Sequence, residues 1–522
     1  MKRSISSLAL VLPLTLALAC GGESDAPGGA RGNPQQDLVM AFSSSPTNLD
    51  ARIGNDNASG RIFDLIYSGL VAVTKENTYA PDLAERWETP DDRTLIFHLR
   101  PNIKFHDGRP VTAQDVKWTY DSLMAEDFSS AKKSGYAAVA SIEAPDPRTV
   151  IFRLSEPNGG ILANLNLGIV PQGADANVYK TKPIGAGPYR VTEFTTDERV
   201  VMESFDEWHL GTPNIKRVIA RIIPDATTRV LELRRGSVNF EINNIPFDQI
   251  AGFENNDEFT ILKEPGATYQ YLAFNLKDPI LAKKPVRQAI AHAIDRDRII
   301  RDLLLGYGEK TESIFPTGHW ARTEGLPSFD FDPARAKQLL DQAGHPDPDG
   351  DGPRARFTLS FKTSTDAEAN QRAQIIQQML KAVGIDMQIQ SNEFGTFYED
   401  IQKGNFQMFS LSRGGIPDPD FYQVIFHSDS VPPEGQNRGY YINERVDQLI
   451  EQGRSTFDQE TRKKAYDEIQ RIVADELPYI SLYHQSNVAV MRSYLDNFEM
   501  YPSGFLLSVP KMTIEAGGDG AQ

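Results

Sequence analysis

Two periodicities alternate along this chain, and they do so most regularly between Phe357 and Asp420. Phe357, Leu359 and Phe361 fall on every second position and predict a strand. Glu368 to Val383 follows with helical spacing and stops at Gly384, and Ile385, Met387 and Ile389 then alternate again. A helix from Phe394 to Lys403 ends at Gly404, and Phe406 to Leu411 supplies a third strand. Strand, helix, strand in this rhythm predicts parallel neighbours joined by right-handed crossovers. In such sheets ligands sit beyond the carboxyl ends of the strands, which places the expected site in the loop Ser412 to Asp420.

The same patterns mark elements elsewhere. Leu38 to Phe42 is a short apolar strand opening into Ser43-Ser44-Ser45-Pro46, and Arg61 to Leu70 has helical spacing. Leu95, Phe97 and Leu99 alternate in a strand, Pro101-Asn102 breaks it, and Ile103 with Phe105 predicts a second short strand before an Asp107-Gly108 turn. Thr112 is placed to cap the next helix, with Asp115 three residues on as in a capping box and Val116, Tyr120 and Leu123 on one face. Thr149 to Leu154 and Ile215 to Pro224 are predicted strands, and Asp225 starts a helix that ends near Gly236. A strand ends at Asn275, a long helix starts at Lys284, and Asp332-Pro333 opens another helix with Pro at its first position. Thr461 to Ala474 is a helix and Pro478 to Tyr483 a strand.

At 522 residues the chain is too long for one ordinary core and divides into two or three lobes. A formal net charge of -17, without a Lys/Arg-rich run, argues against a nucleic-acid partner. The first twenty residues form a targeting segment: Lys2 and Arg3 are the positive start, and Leu8 to Ala19 is an apolar stretch too short to span a membrane. Cys20 is the single cysteine, so it staples nothing within the chain. Its place after Ala17-Leu18-Ala19 resembles that of a bacterial lipoprotein signal, with an ordinary cleaved signal and an incidental cysteine as the alternative, and Cys20 is the expected lipidation site. Residues 21–36, rich in Gly, Pro and small polar residues, are then a flexible tether.

The candidate substrate-binding residues are Ser44, Ser45, Asn275, Ser412, Arg413, Gly414, Gly415 and Asp418. Arg413 offers a fork for a carboxylate or other anion or an inter-lobe ion pair, Gly414 and Gly415 let backbone approach closely, and Asp418 either faces a cation or, with Asp420, caps the following turn. No catalytic residue, cofactor or metal is expected. Gly-x-Ser-x-Gly and His-Glu-x-x-His are both missing, and the eight histidines are scattered, with His427 nearest the expected cleft. Asp347, Asp349, Asp351 and Gly352 follow the order of a calcium loop, yet Thr358 stands at its twelfth position and a strand follows, so a polar turn is expected. The glycines at 350 and 352 precede a strand, the reverse of a dinucleotide fingerprint.

The run PDLAERW, and above all FHDGRPVTAQDV from Phe105 to Val116, resembles the signature of the family 5 extracellular solute-binding proteins, the dipeptide, oligopeptide and nickel receptors of bacterial ABC importers. Further motifs resemble the same family: Pro183 to Tyr189 (PIGAGPY), Trp208 to Pro213, Pro285 to Arg296 extended to Gly306, and Asn437 to Asn443. The resemblance implies an α/β, two-lobed, periplasmic-binding-protein-like fold of type II, with the extra domain of the peptide-binding type, discontinuous domains, central mixed sheets and a hinge. On it, lobe I comprises 37–70, 180–270 and 488–511, the extra domain 71–179, lobe II 271–487, and 512–522 a disordered tail. The implied function is that of a monomeric receptor, not an enzyme, lipid-anchored in the periplasm or at the outer face of the cell membrane. It would close two lobes on a peptide or other small solute and deliver it to a cognate ABC permease and ATPase. The peptide receptors carry an aspartate where Gly415 stands, to receive the peptide's amino terminus, and the oligopeptide type a tryptophan where Ser412 stands. That departure leaves a metal chelate, a sugar or another anion as the alternative solute, and a secreted hydrolase as the alternative class.

Overall fold

The computed structural model describes residues 36–350, 352–433 and 435–515. One mixed sheet runs through both halves of the molecule. Its strands lie in the order Ile385–Asn392, Phe357–Ser364, Met408–Arg413, Phe259–Phe274, Tyr479–Arg492, Phe240–Ile242, Leu38–Phe42, Arg217–Ile222, Arg199–Ser204 and Tyr189–Thr195. Phe357–Ser364 is parallel to both Ile385–Asn392 and Met408–Arg413, as the strand–helix rhythm predicts. Their crossover helices, Ala367–Lys381 and Phe394–Gln402, are followed by Gly384 and Gly404 at φ 84° and 74°, a left-handed conformation in which a side chain is strained.

The strands Phe259–Phe274 and Tyr479–Arg492 tie the halves together. Their pairing is continuous from Phe259 to Glu264, slips at Pro265-Gly266-Ala267, and resumes at Thr268. On one side of the slip Val488 and Val490 join a core with Val39, Ala41 and Ile219. On the other, Ile480 and Leu482 join Leu272, Leu359 and Met387, while Tyr479 and Tyr271 pack on the opposite sheet face with Phe409 and Tyr422.

A separate antiparallel sheet of Ala84–Asp91, Thr94–Leu99, Thr149–Leu154 and Val139–Asp146 carries the helix Ala113–Met124 on its apolar face. The Thr112–Asp115 capping box is present: the Asp115 carboxylate accepts from the Thr112 N–H at 2.9 Å. Leu95, Phe97 and Leu99 are fully buried under Val116, Tyr120 and Leu123.

Four local expectations change. Ile103 and Phe105 are buried but form no strand; the segment folds into a tight loop, with Phe105 and Val111 N–H groups donating to the Arg109 and Ile103 carbonyls. The helix from Lys284 breaks after Ala293, because Asp295 turns out to accept from the Arg298 N–H and caps a second helix, Arg296–Leu303. The strand expected to end at Tyr483 continues to Arg492. Residues 512–515 do not belong to a disordered tail: Met512 is fully buried, and Thr513–Ile514 pairs with Leu495–Asp496. Cys20, the targeting segment and residues 516–522 lie outside the described residues.

Candidate functional site

Arg413 is the last residue of its strand, so its side chain stands at the carboxyl end of the parallel layer. The guanidinium lies over the Phe421 ring at 3.9 Å, a cation–π contact that orients it without consuming its charge. The residue is exposed at the strand's end, near Tyr271, Tyr398, Tyr479 and a second guanidinium, Arg438; partial desolvation, aided by the like charge of Arg438 and opposed by the tyrosines, lowers its pKa from the ordinary arginine value. Arg438 donates to the Tyr398 hydroxyl at 2.9 Å. Among the described residues neither arginine has a carboxylate partner.

The opposite wall is built on the helix Asn57–Ile66. Asp56 caps it, accepting from the Ser59 N–H at 2.8 Å. Its far end is seated on the Pro183–Tyr189 motif: the Gly187 N–H donates to the Ile66 carbonyl at 3.0 Å, and a Cβ on Gly187 would come within 2.5 Å of the Ile66 backbone. This close approach is what the glycines of that motif provide. Asp64 projects from this helix. Its Oδ2 accepts from the Leu506 N–H at 2.9 Å, and burial raises its carboxyl to about 7 against the opposing pull of that hydrogen bond and of Arg61. Lys132 donates to the Ala51 carbonyl at 2.6 Å and lies over the Phe63 ring, and burial lowers its ammonium to about 8.

Between these walls is a cavity of about 560 Å³ lined by Arg413 on one side and by Phe63, Asp64, Lys132, Asn164 and Phe505 on the other. A small cavity of about 90 Å³ shares Phe63, Asp64 and Phe505 with it and leads to a third of about 670 Å³ bounded by Asp64, Tyr67, Trp208 and Glu499. The string of cavities is long, mixed in polarity, and passes Asp64 throughout. It suits an extended solute with charges along its length.

Of the eight candidate residues, Arg413 lines this space. Ser412 and Gly414 are exposed beside it, and Gly415 backs onto Ala267, whose Cβ lies 3.3 Å from where a Gly415 Cβ would be. Asp418 is not available to a solute. It is 4% exposed and forms a two-pronged ion pair with Arg462, one arm at 3.0 Å, while accepting from the Asp420 N–H. Asp420 pairs with Arg454 at 3.1 Å. Ser45 accepts from the Asp197 N–H at 3.1 Å and so fastens a neighbouring hairpin, and Ser44 lies exposed in the same turn. Asn275 donates to the Gly404 and Phe406 carbonyls, which fixes the strand's end rather than presenting an amide to the cleft. His427 is buried, its Nδ1 accepting from the Asp429 N–H. Asp347 and Asp349 are paired with Arg356 and Arg354, and Asp351 is outside the described residues. Among the described residues no group of three or more His, Cys, Asp or Glu stands where it would hold a metal ion.

Asp64, Lys132 and Phe505 went unnoticed in the sequence. Asp64 did carry a signal, as the one acid within the apolar run RIFDLIYSGL, but only the fold brings residues 64, 132, 413 and 505 to one space.

The description bacterial extracellular solute-binding proteins, family 5 middle, matches residues 78–432. The oligopeptide-binding protein AppA of Bacillus subtilis is 28% identical over 98% of both chains. Its structure with a nonapeptide superposes with a TM-score of 0.74 over 92% of this chain and 100% of that one, at 27% identity. The dipeptide-binding protein of Escherichia coli is 25% identical over 90% of this chain and 92% of its own. NikZ of Campylobacter jejuni, solved with Ni(L-His), gives a TM-score of 0.75 and 25% identity over 92% of this chain and 100% of that one. With a family match across most of its length and relatives matched nearly end to end, the chain belongs to the family 5 bacterial extracellular solute-binding proteins.

Proposed function

We propose that this protein is the receptor of an ABC import system, that it captures a peptide-like solute between the Arg413 wall and the Asn57–Ile66 wall, and that it delivers the solute to a membrane permease. The observation that carries the reading is the elongated cavity string between these walls, with an uncommitted guanidinium on one of them. The names of the relatives support the peptide class. Closure follows from differential affinity: a solute touching both walls binds the closed arrangement more tightly than the open one. Cys20 would hold the receptor at the membrane, with residues 21–36 as its tether, and the receptor would work as a monomer.

The test is to purify the mature chain, release what copurifies and identify it by mass spectrometry, then to measure its binding by thermal shift. A peptide is expected, bound without being altered; turnover by the purified protein alone would sink the receptor reading. Arg413→Ala should weaken binding by about tenfold or more, the loss of one charge-assisted hydrogen bond, with the melting temperature of the empty protein nearly unchanged. Unchanged affinity would move the site away from Arg413.

A further inference from the structure

The acids nearest Arg413 in sequence are all committed. Asp418 is locked to Arg462, Asp420 to Arg454, and Gly414 and Gly415 have no side chain to offer. Yet the cavity that Arg413 lines does contain one carboxylate, and among the described lining residues it is Asp64 alone. Among the described residues no side chain hydrogen-bonds to it, and Arg61 acts on it only through space. Its single hydrogen bond comes from the Leu506 backbone, and among the described residues it belongs to no ion pair. The cations around it are engaged elsewhere: Arg61 donates to the Ile242 carbonyl at 3.0 Å, and Lys132 to the Ala51 carbonyl.

We propose that Asp64 receives a positively charged group of the solute, an ammonium or guanidinium, while Arg413 on the facing wall takes its negative end, so that the cleft selects solutes carrying opposite charges at their two ends. This rests on the reading of the chain as a receptor for a peptide-like solute. An unpaired carboxylate in a low-dielectric wall is costly, and a ligand cation placed against it recovers that cost, whereas a neutral ligand group does not. Burial raises the Asp64 carboxyl to about 7, a desolvation cost that a cation of the solute would offset. Position adds a second argument. Asp64 lines all three cavities of the string, so a solute anchored on it extends toward Arg413 through one of them and toward Trp208 through the others.

The experiment uses a synthetic peptide pool of mixed sequence, from dipeptides to nonapeptides and free of Lys, Arg, His, Asp and Glu, so that the termini are the only charges. It is offered in three forms: free at both ends, amino-terminally acetylated, and carboxyl-terminally amidated. Binding to the mature protein is titrated by native mass spectrometry. The wild type should bind the acetylated pool about tenfold or more weakly than the free pool, and the amidated pool likewise. Asp64→Asn keeps the acceptor for the Leu506 N–H and should bind free and acetylated pools equally weakly, while still discriminating against amidation. Arg413→Gln should show the converse. Asp64→Ser serves if the Asn variant melts early. If the Asp64 variants still discriminate against acetylation, or if the wild type binds all three forms alike, the assignment to Asp64 is overturned while peptide capture stands. If the wild type binds no form, peptide capture itself fails and the assignment falls with it.

Discussion

Glu241 occupies an environment far from what its type prefers. It sits at 1% exposure in the strand Phe240–Ile242, with no well-formed hydrogen bond to either carboxylate oxygen. Burial drives its carboxyl up to about 8 despite Arg229 and Arg61 nearby. A carboxyl raised in the folded state binds its proton more tightly there than in the unfolded chain. Its contribution therefore favours folding below the ordinary glutamate range and is lost as pH rises from about 4.5 to about 8. Glu241→Gln should remove that loss: at pH 8 the variant should be more stable than wild type by on the order of 1 kcal/mol or more, with the difference vanishing near pH 4. Urea titrations of both proteins across that range check it, and an unchanged difference at the two extremes would refute it. His106, His319 and His484, each held near 4 by burial, act in the opposite sense as pH falls below 6.5, so the comparison must be variant against wild type. At this scale the sequence was a partial guide. Arg413 was recognisable from its place after a strand, whereas the fates of Asp418 and Asn275 depend on Arg462 and Gly404, partners distant along the chain that no local pattern reveals.

Elements whose signals are local were the readable ones. Asp225 and Gly236 bound their helix as anticipated, the first accepting from the Thr228 N–H and the second in a left-handed conformation at φ 77°. The loop from Gly414 to Asp420 was readable in position but not in wiring. It is held to the helix Gln459–Glu476 by the Asp418–Arg462 pair, in which both side chains are 5% exposed and Arg462 also packs over Trp320. Such a pair is weak evidence of net stabilisation, but breaking it strands a buried charge. Asp418→Ala should thus cost about 3–5 kcal/mol, and Arg462→Met in the same background should recover a large part of that cost. Chemical denaturation of the single and double variants reads the two numbers. If the double variant is no more stable than Asp418→Ala, the loop is held by something other than this pair.

The molecule as a whole is organised by the two strands that pass between its halves, and the slip at Pro265-Gly266-Ala267 is where they are least regular. Local pattern marked a strand ending at Asn275 and another from Pro478 to Tyr483 but gave no sign that they continue into the other half, because continuity depends on partners hundreds of residues away. Across the cleft the segment 71–179 meets the segment 271–487 at contacts that include two backbone hydrogen bonds: the Gly159 N–H donates to the Arg454 carbonyl at 2.8 Å and the Trp320 N–H to the Glu76 carbonyl at 2.9 Å. Seams of this kind open and close readily. At Gly159 a Cβ would fall inside the van der Waals surface of the Thr456 carbonyl oxygen and 3.1 Å from the Arg462 guanidinium, so the space exists only for glycine when the seam is shut. Gly159→Ala should therefore act as a wedge. It leaves each half intact but lowers the fraction of molecules in the closed arrangement, and apparent affinity falls in proportion to that fraction. Small-angle scattering should show the wild type contracting on adding the copurified solute and the variant contracting less, with affinity reduced about tenfold or more and the unfolding midpoint of the empty protein shifted little. A variant that contracts and binds like wild type would mean that this seam is not part of closure, and that the halves meet over the solute by the Arg413 and Asp64 walls alone.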